Sequence, residues 1–127
     1  MIENKKNDHV KLALKFYEEE NKSDFDNIKF IHQVFPEISI ENVNINTSIA
    51  GFNMEQPFYI NAITGGSNET KVINEKIAYI AKETNLLMAS GSLSIALKDS
   101  LVEDSFRIIR EVNPNGIIFA NLGAEKT

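Results

Sequence analysis

The chain of 127 residues contains no cysteine and only two histidines. Without thiols there can be no disulfide, no thiolate nucleophile and no cysteine-ligated zinc or iron–sulfur centre. Two histidines, His9 and His32, with no H-E-x-x-H spacing, leave too few ligands for a histidine-built metal site, and none is expected within this chain. Positive charge is also in short supply: 13 Lys and Arg stand against 18 Asp and Glu, a net charge of −5. No global basic field therefore favours nucleic acid or an anionic membrane, and an anionic ligand would need a local cluster of donors. No apolar run is long enough to span a bilayer, and the opening MIENKKNDHVKLALKFYEEE lacks the apolar core of a signal peptide. A soluble, cytoplasmic protein is the expectation. What remains is 43% apolar and 24% charged residues, a globular composition at a length that suits one ordinary domain with its own core.

The order of elements is readable in the second half. Asn7 or Asp8 can cap a first helix in which Val10, Ala13, Leu14 and Tyr17 share one face. It runs out in the acidic stretch Glu18-Glu19-Glu20, read as a solvated face. The segment SDFDNIKFIHQVFPEISIENVNINTSIAGFNMEQP has no sustained period and is interrupted by Pro36 and Pro57. A short strand or helical turn is expected around Ile28–Phe35, with its aromatics filling a core and His32 satisfied within the core or an interface. From Pro57 the pattern becomes regular. Phe58–Ala62 is a short apolar run between proline and a glycine pair, the mark of a buried strand. A helix capped by Ser67 or Asn68 follows, with Ile73, Ile77, Ile80 and Ala81 on one stripe. Leu86–Ser92 is a second apolar run. Ser100 and Glu103 have capping-box spacing, and Val102, Phe106 and Ile109 form the next stripe. Asn113–Gly116 is a turn, and IIFANLG begins a third run. Strand, helix, strand, helix, strand implies parallel strands joined by helical crossovers. Ligands of such folds bind at the carboxyl ends of the strands, so the loops ITGGS, SGS and NLG should converge.

Each loop is ambiguous by itself. Glycines before a helix allow close backbone approach to an anion, but AITGGS is neither GxGxxG nor a P-loop, and an ordinary turn explains it as well. Ser92 can bind a ligand or cap a turn. Asn121 ends a buried strand and must find hydrogen-bond partners, either in a heteroaromatic ligand or in neighbouring backbone. Lys5, Lys6 and His9 place three cationic or cationizable groups in five positions. They could embrace a diphosphate, although a solvated terminus is the simpler reading of that spacing.

Together these motifs resemble one family, the type II isopentenyl-diphosphate isomerases, from about Lys5 to Ala124. The resemblance rests on KKNDHV, FDNIKFIHQVFPEI, PFYINAITGG, INEKIA, the GS turn and NPNGIIFANLGA, in that order. It implies an α/β fold of the TIM (β/α)8 barrel family, of which this chain would be the N-terminal portion. Residues 1–56 would form a helix and an irregular approach segment, and residues 57–127 the first βα units with about three barrel strands. A closed barrel needs roughly 250 residues. The implied activity is conversion of isopentenyl diphosphate to dimethylallyl diphosphate with reduced FMN, supported by NADPH and Mg²⁺, in an enzyme that is a homo-oligomer at full length. Ala62, Ile63, Thr64, Ser92 and Asn121 would contact FMN, and Lys5, Lys6 and His9 the diphosphate. The catalytic groups would lie on FMN and beyond residue 127, leaving the chain alone inactive. Lys5 replaces the usual arginine, Ile63 a usual methionine, and Leu93-Ser94 a usual polar pair. A truncated non-catalytic product, or part of another FMN barrel enzyme such as a hydroxyacid oxidase, are the alternatives.

Overall fold

The computed structural model of the chain describes residues 5–19, 22–35 and 37–124. Glu20 and Pro36 therefore lie outside the described residues. Helix α1 spans Lys5–Lys15 and buries none of its residues. It begins before the expected caps, and Tyr17 lies beyond it. A strand pair follows, β1 (Thr47–Ile49) and β2 (Phe52–Met54), antiparallel in the register Thr47↔Met54 and Ile49↔Phe52. Its two-residue turn puts Ala50 at φ 49° and Gly51 at φ 83°. Positive φ at both central positions is the tight turn whose twist matches a hairpin.

The rest is built around α2 (Asn68–Glu83), β3 (Met88–Ser92), α3 (Asp104–Val112) and β4 (Ile118–Asn121). Strands β3 and β4 are parallel, with Met88 opposite Ile118 and Ser92 opposite Asn121. The expected first strand, Phe58–Ala62, contributes a single parallel bridge from Ile60 to Met88. Its hydrogen bonds run from Ile60 N–H to the Leu87 carbonyl and from Ala89 N–H to the Ile60 carbonyl, each 2.9 Å. The β3 strand is thus central, flanked by Ile60 and β4.

Ser67 caps α2 as its sequence suggests: its side chain accepts from Thr70 N–H while Thr70 Oγ1 accepts from Ser67 N–H. The buried face of α2 is Thr70, Asn74, Ala78 and Ala81, whereas Ile80 is 52% exposed. Of the expected stripe, Ala81 is buried and Ile77 packs at the edge of the core, while Ile80 turns outward, and the small Thr70 and Ala78 let α2 lie close along α3. Ser100 does not cap α3. A 3-10 turn, Ser100–Val102, capped by the Asp99 side chain, precedes it. Ala78, Ala81, Met88 and Ile109 are the innermost apolar residues, with Ile60, Ile77 and Ile118 packed around them. Burying one such side chain as large as Ile109 contributes about 1.5–3 kcal/mol. The turn before β4 is closed by Arg110, whose Nη1 donates to the carbonyls of Pro114 at 2.9 Å and Gly116 at 2.8 Å. Phe52 meets Phe119 edge-on at 6.1 Å and seats the hairpin against β4.

Two expectations are corrected. The described residues form three helices and two two-stranded sheets, and no barrel. Among the described residues only β3 and β4 form a parallel ladder and Phe58–Ala62 adds a single bridge, short of the three barrel strands expected. The TIM-barrel reading is overturned on that ground. The aromatic segment is not a core plug either: Phe30 is 97% and Phe35 89% exposed, and His32 is exposed with them. A single 3-10 turn, Asp24–Asn27, precedes Ile28–Phe35, which forms neither strand nor helix. With no period, this segment presents no continuous face for the rest of the chain to cover.

Candidate functional site

The run Phe58–Ala62 leads into Ile63-Thr64-Gly65-Gly66, and the chain must there turn into α2. Thr64 is buried, while the Ile63 side chain is 62% exposed. Ala62, half-buried, gives its N–H to the Asn61 side chain at 2.8 Å. A Cβ on Gly65 would sit 2.1 Å from the Phe106 ring, and Gly66 has φ +105° with Ile95 beside it. The glycine pair therefore makes room for protein neighbours. Its backbone is engaged as well: Gly66 N–H donates to Ser105 Oγ at 2.8 Å. The polar cluster behind the turn is complete. Asn74 Nδ2 donates to the Thr64 carbonyl at 3.2 Å and to the Ser105 carbonyl at 2.7 Å, and Ser105 Oγ donates to the Val102 carbonyl at 2.7 Å.

The three strand ends do meet. A Cβ on Gly91 would lie 2.2 Å from the Thr64 carbonyl oxygen, so β3 touches the Thr64 backbone directly. Ser92 is half-buried and its Oγ donates to Ser94 Oγ at 3.1 Å. Asn121, exposed, stands opposite Ser92 in register, and its N–H donates to Ser90 Oγ at 3.2 Å where the ladder is irregular. Thr64, Ser92 and Asn121 thus share one end of the small sheet.

On the other side of Thr64 a cavity of about 440 Å³ opens beneath α1. Lys6 and His9 line it, as do Val10, Tyr17, Ile63 and Thr64. Two of the three cationizable candidates thus meet two of the five strand-end candidates. Lys5, exposed at the start of α1, is not among the lining residues, and Ser92 and Asn121 lie outside the cavity. Val10, Ala13, Leu14, Tyr17 and Ile73 make most of its lining apolar, and Lys6 and His9 are the basic residues among it. Such a space suits a small anion joined to a short hydrocarbon.

Asn74 and Ser105, which hold this region together, are not singled out by the sequence, and Asn7, expected as a helix cap, instead accepts from Ser67 Oγ. Asn74 stands beside the apolar stripe of α2, and the signal it carries is that a polar residue in that place on a packed helix needs partners. Two further cavities, of about 290 and 600 Å³, lie at the opposite ends of the strands around Met54, Asn53 and Asn85. Among the described residues no group of three His, Cys, Asp or Glu could hold a metal ion, and no helix is long and apolar enough to cross a membrane.

No protein-family model matches the chain. It is 48% identical over 120 residues to a Latilactobacillus sakei protein named isopentenyl-diphosphate delta-isomerase, covering 94% of this chain and 34% of that relative. Proteins of the same name from Staphylococcus saprophyticus and Staphylococcus haemolyticus are each 46% identical over 123 residues, 97% of this chain and 35% of theirs. The chain spans about a third of the length of the curated relatives it matches, and along nearly all of its own length it is similar to proteins that carry the name isopentenyl-diphosphate delta-isomerase.

Proposed function

We propose that this chain takes part in the isomerisation of isopentenyl diphosphate to dimethylallyl diphosphate in isoprenoid biosynthesis, as its relatives' shared name suggests, and that it supplies binding groups for the reaction. The observation that carries the reading is the cavity under α1, where Lys6 and His9 stand in a mostly apolar lining. The Lys6 ammonium and the His9 imidazole hold the diphosphate. Val10, Tyr17, Ile63 and Ile73 offer the five-carbon hydrocarbon an apolar surface. Lys5, just outside, adds charge to the approach and, lacking the planar fork of arginine, makes no bidentate contact.

The type II, flavin-dependent form of this chemistry is the finer reading. Ala62, Ile63, Thr64, Ser92 and Asn121 would hold FMN at the strand ends. Ile63 and Asn121 are exposed there and Ser92 half-exposed, so these groups are accessible to a planar ligand. Bound flavin would supply the proton-transfer chemistry that shifts a double bond without net redox change. The Thr64 backbone, fixed by Asn74 and Gly91, orients such a ligand against the cavity. The glycine turn adds no phosphate cradle, because the Gly66 amide is engaged by Ser105. In the same reading NADPH would reduce the flavin and Mg²⁺ would neutralise the diphosphate, with the ion's carboxylate ligands outside this chain, since no group of three His, Cys, Asp or Glu lies among the described residues. We assign residues 1–56 and 57–127 to two parts, the first bringing the diphosphate groups and the second the flavin groups. The chain leaves the proton donor unassigned, and turnover would require groups from the rest of a longer enzyme, as a homo-oligomer in the cytoplasm.

Titration of the purified chain with FMN and, separately, with inorganic pyrophosphate tests this. Saturable quenching of flavin fluorescence and a pyrophosphate affinity that Lys6→Ala and His9→Ala each weaken are expected. Absence of pyrophosphate binding by the folded chain overturns the reading of the cavity, and absence of flavin binding overturns the flavin-dependent form.

A further inference from the structure

Helix α1 has eleven residues and none is buried. An isolated helix of that length is marginal in water, so its place over the cavity depends on a few anchors. One is polar and specific. Ser67 Oγ donates to Asn7 Oδ1 at 2.5 Å, a link between residues 60 positions apart. Ser67 is 6% exposed and is itself fixed, since its Oγ accepts from Thr70 N–H at 3.1 Å as the cap of α2. The stem of the preceding residue lies on the same turn, with Lys6 Cγ 3.5 Å from where a Gly66 Cβ would stand. Consecutive residues of α1 thus rest on consecutive residues of the Gly66-Ser67 turn.

We infer that Asn7 is a positioning residue, which fastens α1 to the cap of α2 and so holds Lys6 and His9 toward a diphosphate in the cavity. The inference rests on the reading of that cavity given above. One hydrogen bond does this because its donor, Ser67, is buried and held as the cap of α2, while α1 buries none of its own residues. Ser67 cannot follow α1 outward without uncapping α2. Releasing Asn7 therefore frees the helix that bears the two cationizable groups and leaves Thr64 and the strand ends in place.

The test measures hydrogen exchange of the α1 amides together with pyrophosphate and FMN affinity, in the wild-type chain, Asn7→Ala and Asn7→Asp. Asn7→Ala is expected to speed exchange in α1 and to weaken pyrophosphate binding about three- to tenfold, the equivalent of one hydrogen bond. FMN affinity should stay within about twofold, since the strand-end groups are untouched. Asn7→Asp, whose carboxylate still accepts from Ser67, should restore slow exchange. Equal α1 exchange in the wild-type chain and Asn7→Ala overturns the fastening. Unchanged pyrophosphate affinity, or an equal loss of both ligands, overturns the positioning role. A wild-type chain that protects α1 yet binds neither ligand refutes the functional reading and, with it, the ligand side of this inference.

Discussion

Asn74→Leu should be among the costliest single substitutions in the chain, although nothing apolar is lost by it. Asn74 is 3% exposed on the inner face of α2 and donates to two carbonyls, Thr64 at 3.2 Å and Ser105 at 2.7 Å. Leucine keeps the branched shape but is larger, so no cavity opens, and crowding at this buried site adds to the loss of the hydrogen bonds. Each buried acceptor left without its donor costs about 1–3 kcal/mol. The Ser105 carbonyl lies in the first turn of α3 and can keep a helical partner, which places the expected loss at about 2–4 kcal/mol. Urea unfolding followed by far-UV circular dichroism measures it, with the midpoint falling and the slope unchanged. The companion substitution is Ile80→Ala. By periodicity Ile80 belongs to the core stripe, yet it is 52% exposed, and its truncation should cost under about 1 kcal/mol. If Ile80→Ala destabilises more than Asn74→Leu, the outward placement of Ile80 and the argument from the polar face of α2 are both wrong.

Two other substitutions test the contacts on either side of that cluster. Gly91→Ala places a Cβ 2.2 Å from the Thr64 carbonyl oxygen, a backbone atom that must move. It should cost about 1–3 kcal/mol by the same unfolding assay and weaken FMN binding. Arg110→Ala removes the guanidinium that gathers the carbonyls of Pro114 and Gly116. A loss of about 1–2 kcal/mol is expected, with faster amide exchange confined to the turn before β4.

What could be read from the sequence, and what could not, divides along a physical line. The run from Pro57 to Asn121 was legible where local rules suffice. Ser67 caps α2, Asn113–Gly116 turns, and the apolar runs at Met88 and Ile118 pair in parallel. The meeting of Thr64, Gly91-Ser92 and Asn121 at one end followed from that alternation. The cavity did not: Lys6 and His9 lie one turn apart on α1, but their spacing alone read as a solvated terminus, and nothing local places them beside Thr64. The failures are of another kind. The hairpin at Thr47–Met54 was announced only by Ala50-Gly51, a pair weaker than Asn-Gly for positive φ. The α2 stripe held at Ile77 and Ala81 but not at Ile80, because hydropathy ranks isoleucine above alanine, while close helix packing rewards small side chains such as Ala78 and a satisfied asparagine. The segment through Phe30 and Phe35 was assigned to a core on composition alone. Hydrophobic residues are buried only when a second apolar surface of matching shape reaches them, and composition does not say whether one exists. The barrel reading, taken from the resemblance, met a related obstacle on a larger scale. Each βα unit specifies its own strand and helix, but joining the two outer edges is a property of the whole sheet, and no local motif in these residues encodes it.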